Sequence, residues 1–156
     1  MLKINLIVIG DIKEKYLTEA IAEYSKRISR FAELKIIELK ENNPKSASQK
    51  DIDLALEKDA QSIEKHIKGY AICLDIDAPQ FTSTQFAKKL NNLSLQTGEI
   101  SFIIGASNGI AERIKSMCKE KISFSKMTFP HQLMRVIFLE QLYRAFTINN
   151  NIAYHK

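Results

Sequence analysis

The sequence predicts an α/β fold, a mostly parallel sheet flanked by helices, and three observations carry that prediction. Short apolar runs rich in β-branched residues recur at Leu2 to Ile9, Leu34 to Leu39, Tyr70 to Leu74 and Ile100 to Ile104, with a weaker run near Ile122 to Met127. The segments between them repeat apolar residues every three or four positions, which is the spacing of one helix face. Strands that alternate with helices of ten or more residues need crossover connections, and crossovers make neighbouring strands parallel and put helices on both sheet faces. With 156 residues, 45% of them hydrophobic, residues 1–156 are expected to form a single domain around one core.

The first run, "MLKINLIVIG", has strand length and is too short to span a membrane. It also lacks the basic start and small-residue cleavage site of a signal peptide, so a cytoplasmic protein without membrane association is expected. Leu17, Ala20, Ile21, Tyr24 and Ile28 mark the first helix. After the second strand, Lys40 to Lys50 reads as a polar loop, and Ser48 with Asp51 resembles a capping box for a helix whose apolar face is Ile52, Leu56, Ile63 and Ile67. Phe86, Leu90 and Leu93 mark the third helix.

The last helix, His131 to Thr147, carries Leu133, Met134, Val136, Ile137, Phe138, Leu139, Leu142, Tyr143 and Phe146 around most of its circumference. A surface helix cannot expose such a second apolar face to water. The expected cover is another copy of the chain in a symmetric homodimer, the alternative being a central helix buried within the monomer.

Lys and Arg outnumber Asp and Glu by 23 to 18, giving a net charge of +5 and a pI near 9.1. That balance suits a polyanionic partner such as nucleic acid, or simply mildly basic solvated faces. Cys73 and Cys118 form no Cys-x-x-Cys pair and have no histidine at ligand spacing, so reduced, packed thiols and no metal site are expected.

Parallel sheets bind ligands beyond the carboxyl ends of their strands, which directs attention to Gly10-Asp11, Asp75-Ile76-Asp77 and Gly105-Ala106-Ser107-Asn108-Gly109. The glycines of "IIGASNGI" permit a tight turn and close backbone approach, for a ligand or for steric reasons alone. No Gly-x-Gly-x-x-Gly follows the first strand and no phosphate-loop Gly-Lys-Ser/Thr occurs. Asp11, Asp75, Ser107 and Lys126 are placed as in a phospho-accepting receiver domain, but the acidic pair expected after the first strand is absent.

"FSKMTFPHQLMR", Phe124 to Arg135, is the most informative stretch. A helix that starts at His131 after a proline leaves free backbone N–H groups near the hydroxyls of Ser125 and Thr128. Such a pocket, walled by Met127 and Phe129, suits an uncharged ligand edge such as adenine. His131 serves there either as a ligand-facing group or as a plain helix-start residue. The tail ends in Tyr154, His155 and Lys156, an aromatic, a titratable ring and a cation that together suit an unpaired RNA base and its phosphate.

"IIGASNG", "SFSKMTFPHQLMRV", "EQLYRA" and "YHK", in that order, make the chain resemble the ribosomal RNA large subunit methyltransferase H family of the SPOUT methyltransferases, from "KINLIVIG" to "AYHK". Ala106 departs from the family's usual Ile-Gly-Gly and adds a methyl group beside the cofactor. The resemblance implies a C-terminal deep trefoil knot, a rare exception to unknotted topology. It also implies a homodimer, S-adenosyl-L-methionine as cofactor, and methyl transfer to ring nitrogen three of a pseudouridine in 23S ribosomal RNA. Carried over by position, the cofactor contacts fall on Leu74, Gly105, Phe124, Ser125, Lys126, Met127, Thr128 and Phe129. His131 and Arg135 are expected near the knot and Tyr154 and His155 near the target base, with His155, Tyr154 and Arg135 as the candidate catalytic residues. A domain this small is expected to act on RNA within the ribosome, with no role for DNA. A non-enzymatic RNA-binding assembly factor remains the alternative.

Overall fold

A computed structural model describes Met1 to Lys156. Its elements run β1 (Leu2–Ile9), α1 (Lys15–Ile28), β2 (Ala32–Leu39), α2 (Gln49–Glu64), β3 (Tyr70–Leu74), α3 (Ser83–Ser94), β4 (Glu99–Ile104), α4 (Glu112–Met117), β5 (Glu120–Ile122) and α5 (His131–Asn149). The five strands form one sheet in the order β2-β1-β4-β3-β5, and every neighbouring pair is parallel.

Strand alternation sorts the core into two layers. Ile4, Leu6 and Val8 of β1 and Ile100, Phe102 and Ile104 of β4 point to one face, where α1, α3 and α5 pack through Ile28, Leu90, Phe138 and Leu142. Ile7, Ile9, Cys73 and Ile103 point to the other, under Ala60 and Ile63 of α2 and Ile114 of α4. Strands buried on both faces read as nearly continuous apolar runs, which is why β1, β3 and β4 stand out in the sequence.

Three features differ from the expectations. β5 is shorter and earlier than the Ile122 to Met127 run, because the chain leaves the sheet at Ser123, whose N–H bonds to Pro79 O at 3.0 Å. The buried face of α2 is Ala55, Asp59, Ala60 and Ile63. Ile52 and Leu56 are only half-buried and Ile67 lies past the helix end. Asp59 is buried there because its carboxylate accepts both the backbone N–H of Asn42 (3.1 Å) and its side-chain amide (2.8 Å), fixing the polar loop. Finally, Ser48 accepts from the Asp51 N–H at 3.2 Å, but the Asp51 carboxylate takes the Ser46 hydroxyl instead of returning to the cap. The full reciprocal box is at Thr82 and Gln85, opening α3.

The last helix, α5, packs against both α1 and α3, burying Arg135, Phe138, Leu139, Leu142, Ala145 and Phe146. Leu133 stays 38% exposed, and Val136 and Ile137 are half-buried. The chain thus covers one side of this helix itself and leaves the other partly open.

Candidate active site

Leu74, Ile104 and Ile122 are the last residues of β3, β4 and β5, and all three line one cavity of about 380 Å3. The cavity is therefore at the carboxyl edge of the sheet, where parallel folds take ligands, and its volume is within the range of small-molecule sites. One wall is the turn after β4. A Cβ at Gly105 would lie 2.4 Å from Gly109 O, Gly109 itself has φ +81°, and Gly109 N–H closes the turn on Ala106 O at 2.9 Å. Both glycines are required by that geometry. The extra methyl group of Ala106 packs against the core beneath α2 and α4.

The opposite wall is the segment between β5 and α5. Phe124 anchors it, its ring 5.8 Å from that of Phe86 and 5.9 Å from that of Phe138. Ser125 Oγ accepts the Met127 N–H at 2.9 Å, and Ser125 O accepts the Ser123 hydroxyl at 3.0 Å. Those are the hydrogen bonds that the Phe124 to Phe129 backbone makes within the chain. The remaining N–H and C=O groups are free to read a ligand edge, and Met127, Thr128 and Phe129 line the same cavity. Donors and acceptors of the main chain beside apolar walls fit the adenosine part of S-adenosylmethionine. Of the eight cofactor residues expected, Leu74, Gly105, Phe124, Ser125, Met127, Thr128 and Phe129 are brought together here. Lys126 is exposed and lies outside the lining.

The rim of the cavity carries a charge pair. Lys115 Nζ on α4 is 3.2 Å from Asp75 Oδ2, both side chains mostly buried. Asp75 also accepts the Asp77 N–H at 3.1 Å, which folds the loop after β3. Burial pushes the Asp75 carboxyl up, but the Asp77 N–H and the Lys115 ammonium outweigh it and hold it below the usual carboxylate range. Burial pulls Lys115 down, and Asp75 more than reverses that. Lys115 was invisible to sequence reasoning, since one lysine on a six-residue helix leaves no periodic trace.

The three candidate catalytic residues are elsewhere in the chain. Arg135 is 2% exposed. Its Nη2 donates to Ile9 O (2.8 Å) and Gly10 O (2.7 Å), and its Nη1 to Glu38 (3.1 Å). Burial lowers its pKa against the pull of Glu38. Tyr154 and His155 fold back on α5. The Tyr154 hydroxyl donates to Glu140 at 3.0 Å, and burial together with that carboxylate pushes its pKa up to about 12. Arg144 Nη1 lies 3.2 Å from His155 Nδ1. None of the three lines the cavity, whereas His131 does, beside Met134. No cluster of three or more His, Cys, Asp or Glu side chains is placed to hold a metal, and no helix is long and apolar enough to cross a membrane.

Comparison with known proteins agrees with this architecture. Residues 2–155 match a family described as "Predicted SPOUT methyltransferase". A protein of Methanococcus maripaludis is 51% identical over 99% of this chain and 100% of its own length. Proteins named ribosomal RNA large subunit methyltransferase H from Bifidobacterium adolescentis and Fusobacterium nucleatum are 48% and 45% identical, each over 99% of this chain and 100% of its own. A Haemophilus influenzae structure described as a probable methylase family protein superposes with a TM-score of 0.56 at 14% identity, over 98% of this chain and 70% of its own, which is a likeness of fold. The chain therefore belongs to the SPOUT methyltransferases, in the ribosomal RNA large subunit methyltransferase H family.

Proposed function

We propose that this protein transfers a methyl group from S-adenosyl-L-methionine to ring nitrogen three of a pseudouridine in 23S ribosomal RNA, acting on the assembled ribosome as a cytoplasmic homodimer. The observation that carries the reading is the cavity at the ends of β3, β4 and β5, with the free backbone of Phe124 to Phe129 as one wall. The names of the full-length relatives supply the substrate class.

When bound, the cofactor supplies a sulfonium methyl group already activated for transfer, so the protein has to align the acceptor and manage one proton. The Phe124 to Phe129 backbone reads the adenine edge, while Leu74 and Phe129 exclude water from it. Gly105 lets the turn after β4 close against the ligand. The tail works on the RNA side: Tyr154 offers a stacking face and His155 and Lys156 polar contacts to the target loop. Arg135 acts through the end of β1, which it holds by two carbonyls, and adds positive charge near the site.

The test combines calorimetry with S-adenosylmethionine and methyl transfer to ribosomes from cells lacking the protein, followed by nucleotide mapping. Binding heat and one new methyl group on a large-subunit pseudouridine are expected, with free transcript a much poorer substrate. No heat, together with salt-sensitive RNA binding indifferent to cofactor, would instead assign a non-enzymatic assembly factor.

A further inference from the structure

The carboxyl edge of the sheet carries a second opening beside the cofactor cavity. About 570 Å3 in volume and lined mostly by polar and charged residues, it lies at the ends of β1 and β2, between Gly10, Leu39 and Asn43. His131 is the one residue that lines both cavities. Its ring lies over the end of β1: a Cβ on Gly10, which has φ +90°, would be 3.7 Å from His131 Nε2.

The chain has three histidines, and they are held differently. His66 Nδ1 is 3.0 Å from Ser62 O and His155 Nδ1 is 3.2 Å from Arg144, while the ring of His131 has no hydrogen-bond partner within the chain. An imidazole that is half-buried and unpaired, at the only shared wall of two cavities, has both nitrogens available to whatever enters them.

We infer that His131 is the proton acceptor of the reaction, taking the proton from the target ring nitrogen as that nitrogen approaches the cofactor from the polar cavity. The inference rests on the methyl-transfer reading above. In the step, the imide N–H gives its proton to the neutral imidazole. The nitrogen's electron pair forms the new N–CH3 bond, the S–CH3 bond breaks with its pair left on sulfur, and a neutral thioether and an imidazolium result. The imidazolium then returns its proton to water through the polar cavity.

The charge setting agrees with this role. Burial pushes the His131 pKa below the ordinary histidine value, Glu41 opposes that and Arg135 adds to it, so the ring is neutral and able to accept at pH 7. On the polar side it faces Asp11, Glu14, Glu38 and Glu41 with Lys13 and Lys40. On the cofactor side the charges are Asp75, Asp77 and Lys115. Among these groups Glu41 is the carboxylate that favours the charged ring, and it stabilises the imidazolium formed in the step.

The test reads the ring itself before it reads activity. Imidazole resonances of the full-length protein are titrated by NMR with S-adenosylmethionine and, separately, with S-adenosylhomocysteine, which lacks the sulfonium charge. A positive charge beside the ring should lower the His131 midpoint by about 1 unit with the first ligand relative to the second. Equal His131 midpoints with both ligands would overturn the assignment.

Single-turnover methyl transfer to ribosomes is measured with wild type, His131→Gln and His131→Ala. The variants should bind cofactor as wild type does, lose about 10²-fold or more in rate, and regain part of it in His131→Ala with added imidazole. A wild-type rate in His131→Gln, or loss of cofactor binding in both variants, overturns the inference. Should wild type bind the cofactor and yet methylate no ribosome, the methyl-transfer reading itself fails and this inference with it.

Discussion

Gly105 shows how far one residue can be interpreted from sequence. A glycine after an apolar strand already suggests a tight turn, but only the structure shows that a side chain there would meet backbone, at 2.4 Å from Gly109 O and 2.6 Å from its carbon. Backbone cannot rotate away as a side chain can. Gly105→Ala should therefore destabilise the fold by about 1–3 kcal/mol and weaken S-adenosylmethionine binding, both measurable by thermal unfolding with and without ligand. Gly98→Ala, with nothing within 4 Å of the new methyl group, is the matched control and should leave both unchanged. Lys115 and the anchoring role of Phe86 were not legible, because each depends on a partner far along the chain that local spacing does not reveal.

Elements were legible where burial on two faces makes the pattern continuous, as in β1, and where helix periodicity is strong, as in α1 and α3. They were misread where small or polar residues occupy the core: Ala55, Asp59 and Ala60 bury the face of α2, and hydrophobic spacing favoured Ile52 and Leu56 instead. The junction of α5 with β1 shows the same effect, since Arg135 is among the largest fully buried side chains. Removing its guanidinium leaves Ile9 O and Gly10 O without their donor, so Arg135→Met should cost about 3 kcal/mol of stability in urea unfolding. Were Arg135 instead needed only at the target base, the variant would keep the wild-type midpoint and lose methyl transfer alone.

For the molecule as a whole, the α/β class was legible but the strand order was not. β1 pairs with both β2 and β4, and which distant runs become neighbours is set by long-range packing rather than by local pattern. A knot is what membership of the family implies, and local pattern would not announce it either. The partly open side of α5, where Ile137 shares a cavity with Phe129 and Phe81 and exposed Leu133 lies one helical turn before it, supports the homodimer reading. Light scattering should give twice the 17.8 kDa chain mass, and Leu133→Glu should give folded monomers that no longer methylate ribosomes. A dimer mass unchanged by that substitution would move the interface off this face. The position of α5 has a further consequence during synthesis. Phe138, Leu142 and Phe146 complete the layer over Ile4 of β1 and Phe102 of β4, so α5 covers a surface whose strands are both translated before it. A nascent chain carries that surface bare until α5 has been made, and a product truncated before α5 carries it permanently, which exposes incomplete copies to chaperones and proteases.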